Sequence, residues 1–368
     1  MVTGLGVKFR TPIVTEPYKF SWFEVELPDP SPNEVIFRNK ACLICGSDIH
    51  AYKGLHPFSP LPACLGHEVA AEVVEVGSRV SSLEIGDRVY VGSVGASPIP
   101  CGQCVNCLRG EPQTCLRQKI TTTFKIGGKN VSRFPSGFGE YSIGHEGVAY
   151  KIPDGVSVFE AAVTTDLAYV LGVVKRSGAG IGNSAAILGA GPIGLRVLEI
   201  ARLSGVSPII VSEPVENRAA CARDLGADQV VNPLAEDPVK GVLKLTGGEG
   251  VDFVYDTSGS AAVTEQGLKM LRTSIGGAGT LIAMGLYERP EFSLNMSELM
   301  HKAGKIVTEW GIRTERRINI ETALSLMQHK KLNILRWITH KLPENEIDEA
   351  MMKLIEKRDD AIGIEIIH

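Results

Sequence analysis

The chain has 368 residues, 44% of them hydrophobic, and a formal net charge of −4. That length allows a sizeable core and two domains. The mildly acidic balance argues against nucleic acid or a membrane surface as partner, since both want a positive face. No run approaches the ~20 apolar residues of a membrane helix, and residues 1–14 lack the apolar core of a secretory signal, so a cytoplasmic protein is expected.

Along the chain, the first ~150 residues read as β-rich. Short runs at 35–37, 69–76 and 88–91 are separated by Gly, Pro and Asp turns, Gly86-Asp87 among them. Two turn-rich stretches, around 101–115 and 127–139, interrupt the pattern; long loops inside a compact domain usually serve a metal or a substrate. Beyond Pro153 the texture changes. Strands at 185–188, 208–212, 229–231, 251–256, 279–285 and 305–309 alternate with helices at 194–204, 217–225 and 261–272. Such alternation predicts an α/β fold with a parallel sheet. Helices at 320–329 and 346–357 precede a strand at 361–367, which is expected to rejoin the first domain. The expected division is 1–155, 156–312 and 313–368.

Gly189-Ala190-Gly191-Pro192-Ile193-Gly194 has the G-x-G-x-x-G form, follows a predicted strand and opens a predicted helix. The first Gly permits the tight turn, the second a close approach of pyrophosphate, and the third close helix–strand packing; free N–H groups at the helix start then bind the diphosphate. Glu213 ends the second predicted strand, where a carboxylate accepts hydrogen bonds from the adenine ribose. Its alternative reading is a surface acid that starts a helix. A carboxylate there repels a 2′-phosphate, which favours NAD over NADP; Arg218 nearby tempers that preference.

There are eight cysteines. Cys101, Cys104, Cys107 and Cys115 lie on one short loop, and four thiolates there match a closed, structural zinc site. An iron–sulfur cluster and a zinc-ribbon nucleic-acid module are the alternatives, the latter disfavoured by the few basic residues. Cys42, Cys64 and Cys221 read as packing residues. A second constellation joins Cys45 in Cys45-Gly46-Ser47-Asp48-Ile49-His50 to His67 and Glu68 in Gly66-His67-Glu68. This mixture of ligands suits a zinc that keeps one position open for water or substrate.

These pieces, with the turn region Gly77…Gly86-Asp87-Arg88-Val89, stand in an order and spacing that resembles the zinc-containing medium-chain dehydrogenases. That family includes alcohol, polyol, threonine and glucose dehydrogenases, and the resemblance covers nearly the whole chain. It implies a GroES-like catalytic domain with an inserted Rossmann domain, and a homodimer or homotetramer. The family's third catalytic ligand lies just before the Rossmann domain and is often Cys. This chain has Thr164-Thr165-Asp166-Leu167 there, and Asp166 resembles the aspartate of secondary-alcohol and formaldehyde dehydrogenase relatives. An N-cap or solvated acid is its other reading.

By the same resemblance, Ser47 hands the alcohol proton onward, His50 passes it to solvent through the cofactor ribose, and Asp48 orients His67. Outside that context, Ser47 and Asp48 read equally as turn formers. Glu68 is either a fourth ligand or a group that approaches at some catalytic stage. Trp22, Phe58, Phe124, Phe134, Phe138, Tyr169 and Trp310 are candidates to line a pocket. Polar residues within 121–136, Asn130 and Arg133 among them, suggest a polyol, sugar or cyclitol. A simple secondary alcohol or a threonine-like substrate is the alternative, and a catalytically silent nucleotide-binding scaffold is the competitor on the same fold.

Overall fold

The structure, a computed structural model, describes residues 6–92, 98–99, 101–109, 115–117, 119–120, 124–132, 134–273, 279–289, 291–309 and 317–368. Arg133, Trp310 and residues 121–123 of the expected polar rim lie outside them. Contacts divide the chain into two compact units, Met1–Asp166 with Glu315–His368, and Leu167–Thr314.

The first unit opens with an antiparallel hairpin, β1 (Lys8–Glu16) and β2 (Lys19–Glu26). β3 (Glu34–Leu43), β4 (Glu68–Val76) and β5 (Arg88–Val91) form the next three strands. β3 outruns the expected 35–37 at both ends, because Val35, Ile36, Phe37, Ala41, Cys42 and Leu43 are all buried and so cover both of its faces. Between β3 and β4 the chain makes the helix α1 (Gly46–Tyr52), which the sequence reading missed. Asp48 starts it by accepting the Cys45 N–H at 3.0 Å, half of a capping box. Short pairs follow, β6 (Pro98–Ile99) with β7 (Lys119–Ile120) and β8 (Lys125–Ile126) with β9 (Lys129–Asn130), and a single helical turn, α2 (Val105–Leu108). β10 (Tyr141–His145), β11 (Ala149–Lys151) and α3 (Val158–Ala162) lead to α4 (Thr164–Ser177), whose first three residues belong to this unit.

The second unit alternates β12 (Ala185–Leu188), α5 (Pro192–Leu203), β13 (Ile209–Ser212), α6 (Glu216–Asp224), β14 (Gln229–Val231), α7 (Pro238–Leu245), β15 (Phe253–Asp256), α8 (Ala261–Met270), β16 (Thr280–Ala283), α9 (Met296–His301) and β17 (Lys305–Thr308). The six strands are parallel, in the order β14-β13-β12-β15-β16-β17. That is the Rossmann order, with its reversal between β12 and β15, and ligands of such sheets bind outside the carboxyl ends of the strands at that point.

The chain then adds a helix over Arg317–Gln328, β18 (Ile338–Pro343), a helix over Ile347–Glu356 and β19 (Gly363–Ile367) to the first unit. Its sheet runs β11-β5-β4-β3-β19-β18, with β10 also pairing β3. Val69, Cys42 and Ile366 are in register across β4, β3 and β19 and meet Ala350, Met351 and Leu354 of the second of these helices in one apolar core. No helix among the described residues is long and apolar enough to cross a membrane.

Candidate functional site

Two groups of metal-competent side chains form in the first unit. In each, the ligand atoms lie within 4.8 Å of one another: Cys45, His67 and Asp166 in one, and Cys101, Cys104, Cys107 and Cys115 in the other. Cys45 is the N-cap of α1, His67 immediately precedes β4, and Asp166 sits in the first turn of α4. The Cys45 thiol donates to Asp166 Oδ2 at 3.1 Å. Glu68 is buried at the start of β4 but is not in the three-residue group.

Asp48 organises the group from behind. Its Oδ1 accepts the Gly66 N–H at 3.1 Å and lies 3.4 Å from His67 Nδ1, while its Oδ2 accepts the Cys45 N–H. Burial alone would raise its pKa, but the His67 ring and these hydrogen bonds outweigh burial and hold it below the ordinary value. Asp48 therefore both starts the helix and orients the histidine. Ser47 and His50 lie one turn apart on α1, and the Ser47 hydroxyl bonds the Cys45 sulfur.

The Gly66-His67 turn is sterically committed. Gly66 has φ +92°, and a Cβ on it would stand 2.8 Å from Cys42 Sγ and 2.7 Å from Phe138 Cδ1.

The charge balance of this group fits a cation. Burial, then the carboxylates of Asp166, Glu68 and Asp48, push the Cys45 thiol well above its ordinary pKa. A thiol and three carboxylates around one imidazole carry excess negative charge once ionised, and a divalent ion would offset about half of it while taking the thiolate as a ligand.

In the lobe, the Cys104 and Cys107 sulfurs are 3.4 Å apart, and those of Cys104 and Cys115 are 3.8 Å apart. Zinc–sulfur bonds of ~2.3 Å in a tetrahedron place sulfurs ~3.8 Å apart. Backbone N–H groups of Cys101 and Arg117 point at Cys115 Sγ and that of Cys104 at Cys101 Sγ, each at 3.3 Å. Bonds from backbone N–H groups of this kind lower Cys104 to about 6, whereas burial raises Cys107 to about 12. Cys104 is thus preset as a thiolate, whereas Cys107 would need a cation to release its proton. Cys42, Cys64 and Cys221 are buried and belong to neither group, although Cys42 packs against the Gly66-His67 turn.

In the second unit, Gly189 leaves β12 at φ +101° and Gly191 is the N-cap of α5 with Pro192 at its first position and Ile193 next. A Cβ on Gly194 would fall 1.9 Å from the Gly189 carbonyl oxygen, so the third glycine is obligatory for the close turn. A Cβ on Gly191 would meet nothing within 4 Å, which leaves open space in front of the helix N-terminus. Glu213 follows β13, buried, with Oε2 accepting the Ala190 N–H at 2.6 Å and Oε1 the Val215 N–H at 2.9 Å. It is therefore not a surface acid, although its bond to Val215, the N-cap of α6, still places it at the start of that helix. Arg218 on α6 faces it electrostatically, and its Nε is buried with no hydrogen-bond partner among the described residues.

The aromatic candidates divide. Phe124 stacks on Phe134 beside Phe9 and Ile13, Phe138 lies in the core with Cys42, and Trp22 packs at the core edge under Arg10. Tyr169 is buried, its hydroxyl donating to the Glu309 carbonyl, and Phe58 is exposed.

Comparison with known proteins decides the family. The Alcohol dehydrogenase GroES-like domain model matches residues 31–154, and the Zinc-binding dehydrogenase model matches residues 192–329. The chain belongs to the zinc-containing medium-chain dehydrogenase family. This dehydrogenase is 37% identical to an L-threonine 3-dehydrogenase of Pyrococcus furiosus over 86% of either chain. It is 30% identical to a sorbitol dehydrogenase of Halalkalibacterium halodurans over 88% of its own length and 90% of that protein's. A zinc-binding dehydrogenase of Sinorhizobium meliloti, solved with NADP, superposes with a TM-score of 0.82 at 26% identity, covering 98% of this chain and 100% of that one. The dehydrogenase is accordingly an oxidoreductase of the zinc-type alcohol, polyol and threonine class, with a GroES-like and a Rossmann part.

Sequence reasoning passed over two polar groups. Tyr90 and Thr165 are hydrogen-bonded beside His67; the one signal was the adjacency of Thr165 to Asp166. Asp256, buried at the end of β15, accepts from the hydroxyls of Ser258, Thr264 and Tyr287, at 2.6, 2.6 and 3.2 Å, and nothing in its sequence context announced that.

Proposed function

We propose that this dehydrogenase oxidises a secondary hydroxyl of a small polyol, sugar or cyclitol, with NAD as acceptor. In this reading Cys45, His67 and Asp166 hold the catalytic zinc, and Cys101, Cys104, Cys107 and Cys115 hold the structural one. The observation that carries it is the clustering of a thiol, an imidazole and a carboxylate with Asp48 and Glu68 close by, a donor set short of one divalent cation. With Cys⁻, His and Asp⁻ as ligands, the charges around Zn²⁺ sum to zero, which leaves a good Lewis acid. His67 turns Nδ1 toward Asp48, leaving Nε2 for the metal. Glu68 stands by as a further carboxylate.

When bound, zinc supplies the acidity that brings an alcohol proton within reach of neutral pH, and the nicotinamide supplies the hydride acceptor. Ser47 would take that proton while handing its own hydroxyl hydrogen on, and His50, one turn along α1, would pass it to solvent through the cofactor ribose. Gly189, Gly191, Pro192, Ile193 and Gly194 shape the diphosphate turn, Glu213 takes the ribose hydroxyls, and Arg218 screens that carboxylate. The buried Glu213 carboxylate disfavours a 2′-phosphate.

A threonine-type substrate is the second reading, favoured by the higher identity to L-threonine 3-dehydrogenase than to sorbitol dehydrogenase. A screen of polyols, cyclitols, sugars, simple secondary alcohols and L-threonine with NAD and with NADP, followed by absorbance of the reduced cofactor, separates them. Highest kcat/KM on L-threonine, or on NADP, overturns the first reading at the substrate or at the cofactor.

A further inference from the structure

The hydroxyl of Thr165 stands between two of the residues assigned to the catalytic metal. It donates to the main-chain carbonyl oxygen of His67 at 3.0 Å, and it lies 2.9 Å from the hydroxyl of Tyr90. A threonine hydroxyl has one proton. With that proton committed to His67, Thr165 Oγ1 can only accept from Tyr90, so the order of donors is Tyr90 to Thr165 to His67. Thr165 and Tyr90 are both buried, which makes an unmade bond here costly.

The neighbouring elements explain why such a link is needed. His67 lies in a turn fastened to α1 through Asp48 and to residues 136–137, where Gly137 N donates to the Gly66 carbonyl at 2.9 Å and the Ser136 hydroxyl donates to the same oxygen. Asp166 lies on a different element, in the first turn of α4. Thr164 secures that turn backward, donating to the Ala161 carbonyl at 2.7 Å. The hydroxyl of Thr165, one residue before Asp166, ties the same turn sideways to the His67 peptide, and Tyr90 on β5 braces it from the sheet.

We infer that Thr165, braced by Tyr90, is a positioning residue that sets the spacing between His67 and Asp166 and so the tightness of the catalytic metal site. The inference rests on the metal assignment made above. Groups that support metal ligands typically change affinity by about 10–100-fold when removed, and that is the range expected here.

Thr165→Val keeps the shape and deletes the hydroxyl, Thr165→Ser restores it, and Tyr90→Phe removes the brace alone. The zinc-loaded protein is challenged with a chelator, zinc release is followed by a metal indicator, and the slow release from the four-cysteine lobe serves as the internal reference for folding. In parallel, the visible absorption of Co²⁺ placed in the catalytic site reports ligand geometry. Thr165→Val is expected to release the catalytic zinc about tenfold faster or more and to shift the Co²⁺ bands. Thr165→Ser should behave as wild type, Tyr90→Phe should fall between, and lobe release should stay unchanged. Thr165→Val with wild-type release and Co²⁺ bands overturns the positioning role. Faster release from both sites together also overturns it, since that is general destabilisation. A wild-type protein holding one zinc per chain, unaffected by Cys45→Ser, fails at the metal assignment itself and takes this inference with it.

Discussion

Asp166 shows how far a single residue could be read. Its place before the coenzyme segment suggested a ligand, and the fold brings its carboxylate within hydrogen-bonding distance of the Cys45 thiol, 121 residues away. Asp166→Asn keeps the shape and removes one negative charge, so the catalytic zinc should be lost and turnover should fall by orders of magnitude, with the lobe zinc retained. Metal analysis of the purified variant checks this: two zincs per chain would refute direct ligation. Glu213→Ala should relax the proposed preference for NAD, read as the ratio of kcat/KM for NAD and NADP.

Glu365 is a residue the sequence left silent. It is fully buried in β19, and neither carboxylate oxygen has a hydrogen-bond partner among the described residues. Burial raises its pKa to about 8, with Lys341 opposing. Below the ordinary glutamate value of 4.5 the folded and unfolded chains are both protonated there. Between that value and about 8 only the unfolded chain has released its proton, so stability falls as pH rises through this window and then levels. Glu365→Gln cannot ionise. Its melting temperature should gain on wild type steadily from pH 5 to pH 8, by roughly one to several kcal/mol of stability at the upper end. Parallel pH profiles for the two proteins would mean that Glu365 titrates normally.

Elements were legible where their patterns were local. The Rossmann strands could be read because short apolar runs between turn residues have few other uses, and each falls within a few residues of its expected place. α7 was missed although Asp237-Pro238 signals a helix start; Asp237 accepts the Val239 and Lys240 N–H groups and Pro238 takes the first position. α4 was missed for a physical reason. Residues 167–171 and 173–174 are all buried, and a helix covered on every side shows no 3.6-residue alternation. The turn between β12 and α5 carries the element-scale prediction. Gly194→Ala has no room for its methyl beside the Gly189 carbonyl, so the turn must open. NAD affinity should drop at least tenfold in equilibrium titration, whereas Gly191→Ala, facing open space, should bind less well only through what its methyl displaces from the diphosphate.

At the scale of the molecule, the two cysteine sets should separate by what their loss does. Cys104→Ser opens the lobe and should lower the melting temperature, because a structural zinc contributes folding energy directly. Cys45→Ser should abolish turnover with little change in melting. Equal melting losses in the two variants would mean that the sites do not differ in kind. Spacing within one loop made the lobe legible, whereas Cys45, His67 and Asp166 are joined only by the sheet and by α4, so their grouping needed the fold.

The pairing of β19 against β3 sets a timetable for synthesis. On a ribosome, β3 emerges early and its 34–38 stretch can pair β10, but the neighbour of its 41–43 end is not translated until Gly363–Ile367 has been made. Leu167–Thr314 is continuous in the chain and has every strand of its own sheet long before then. The coenzyme unit is therefore free to fold first, while the 41–43 end of β3 and the core around it wait with a short open edge of the kind that invites wrong pairing. Nascent chains stalled once Thr314 has cleared the exit tunnel, but before β19 has, should show a protease-resistant fragment covering the second unit and a cleavable first one. Protection of the first unit should arrive only when β19 has cleared the exit tunnel.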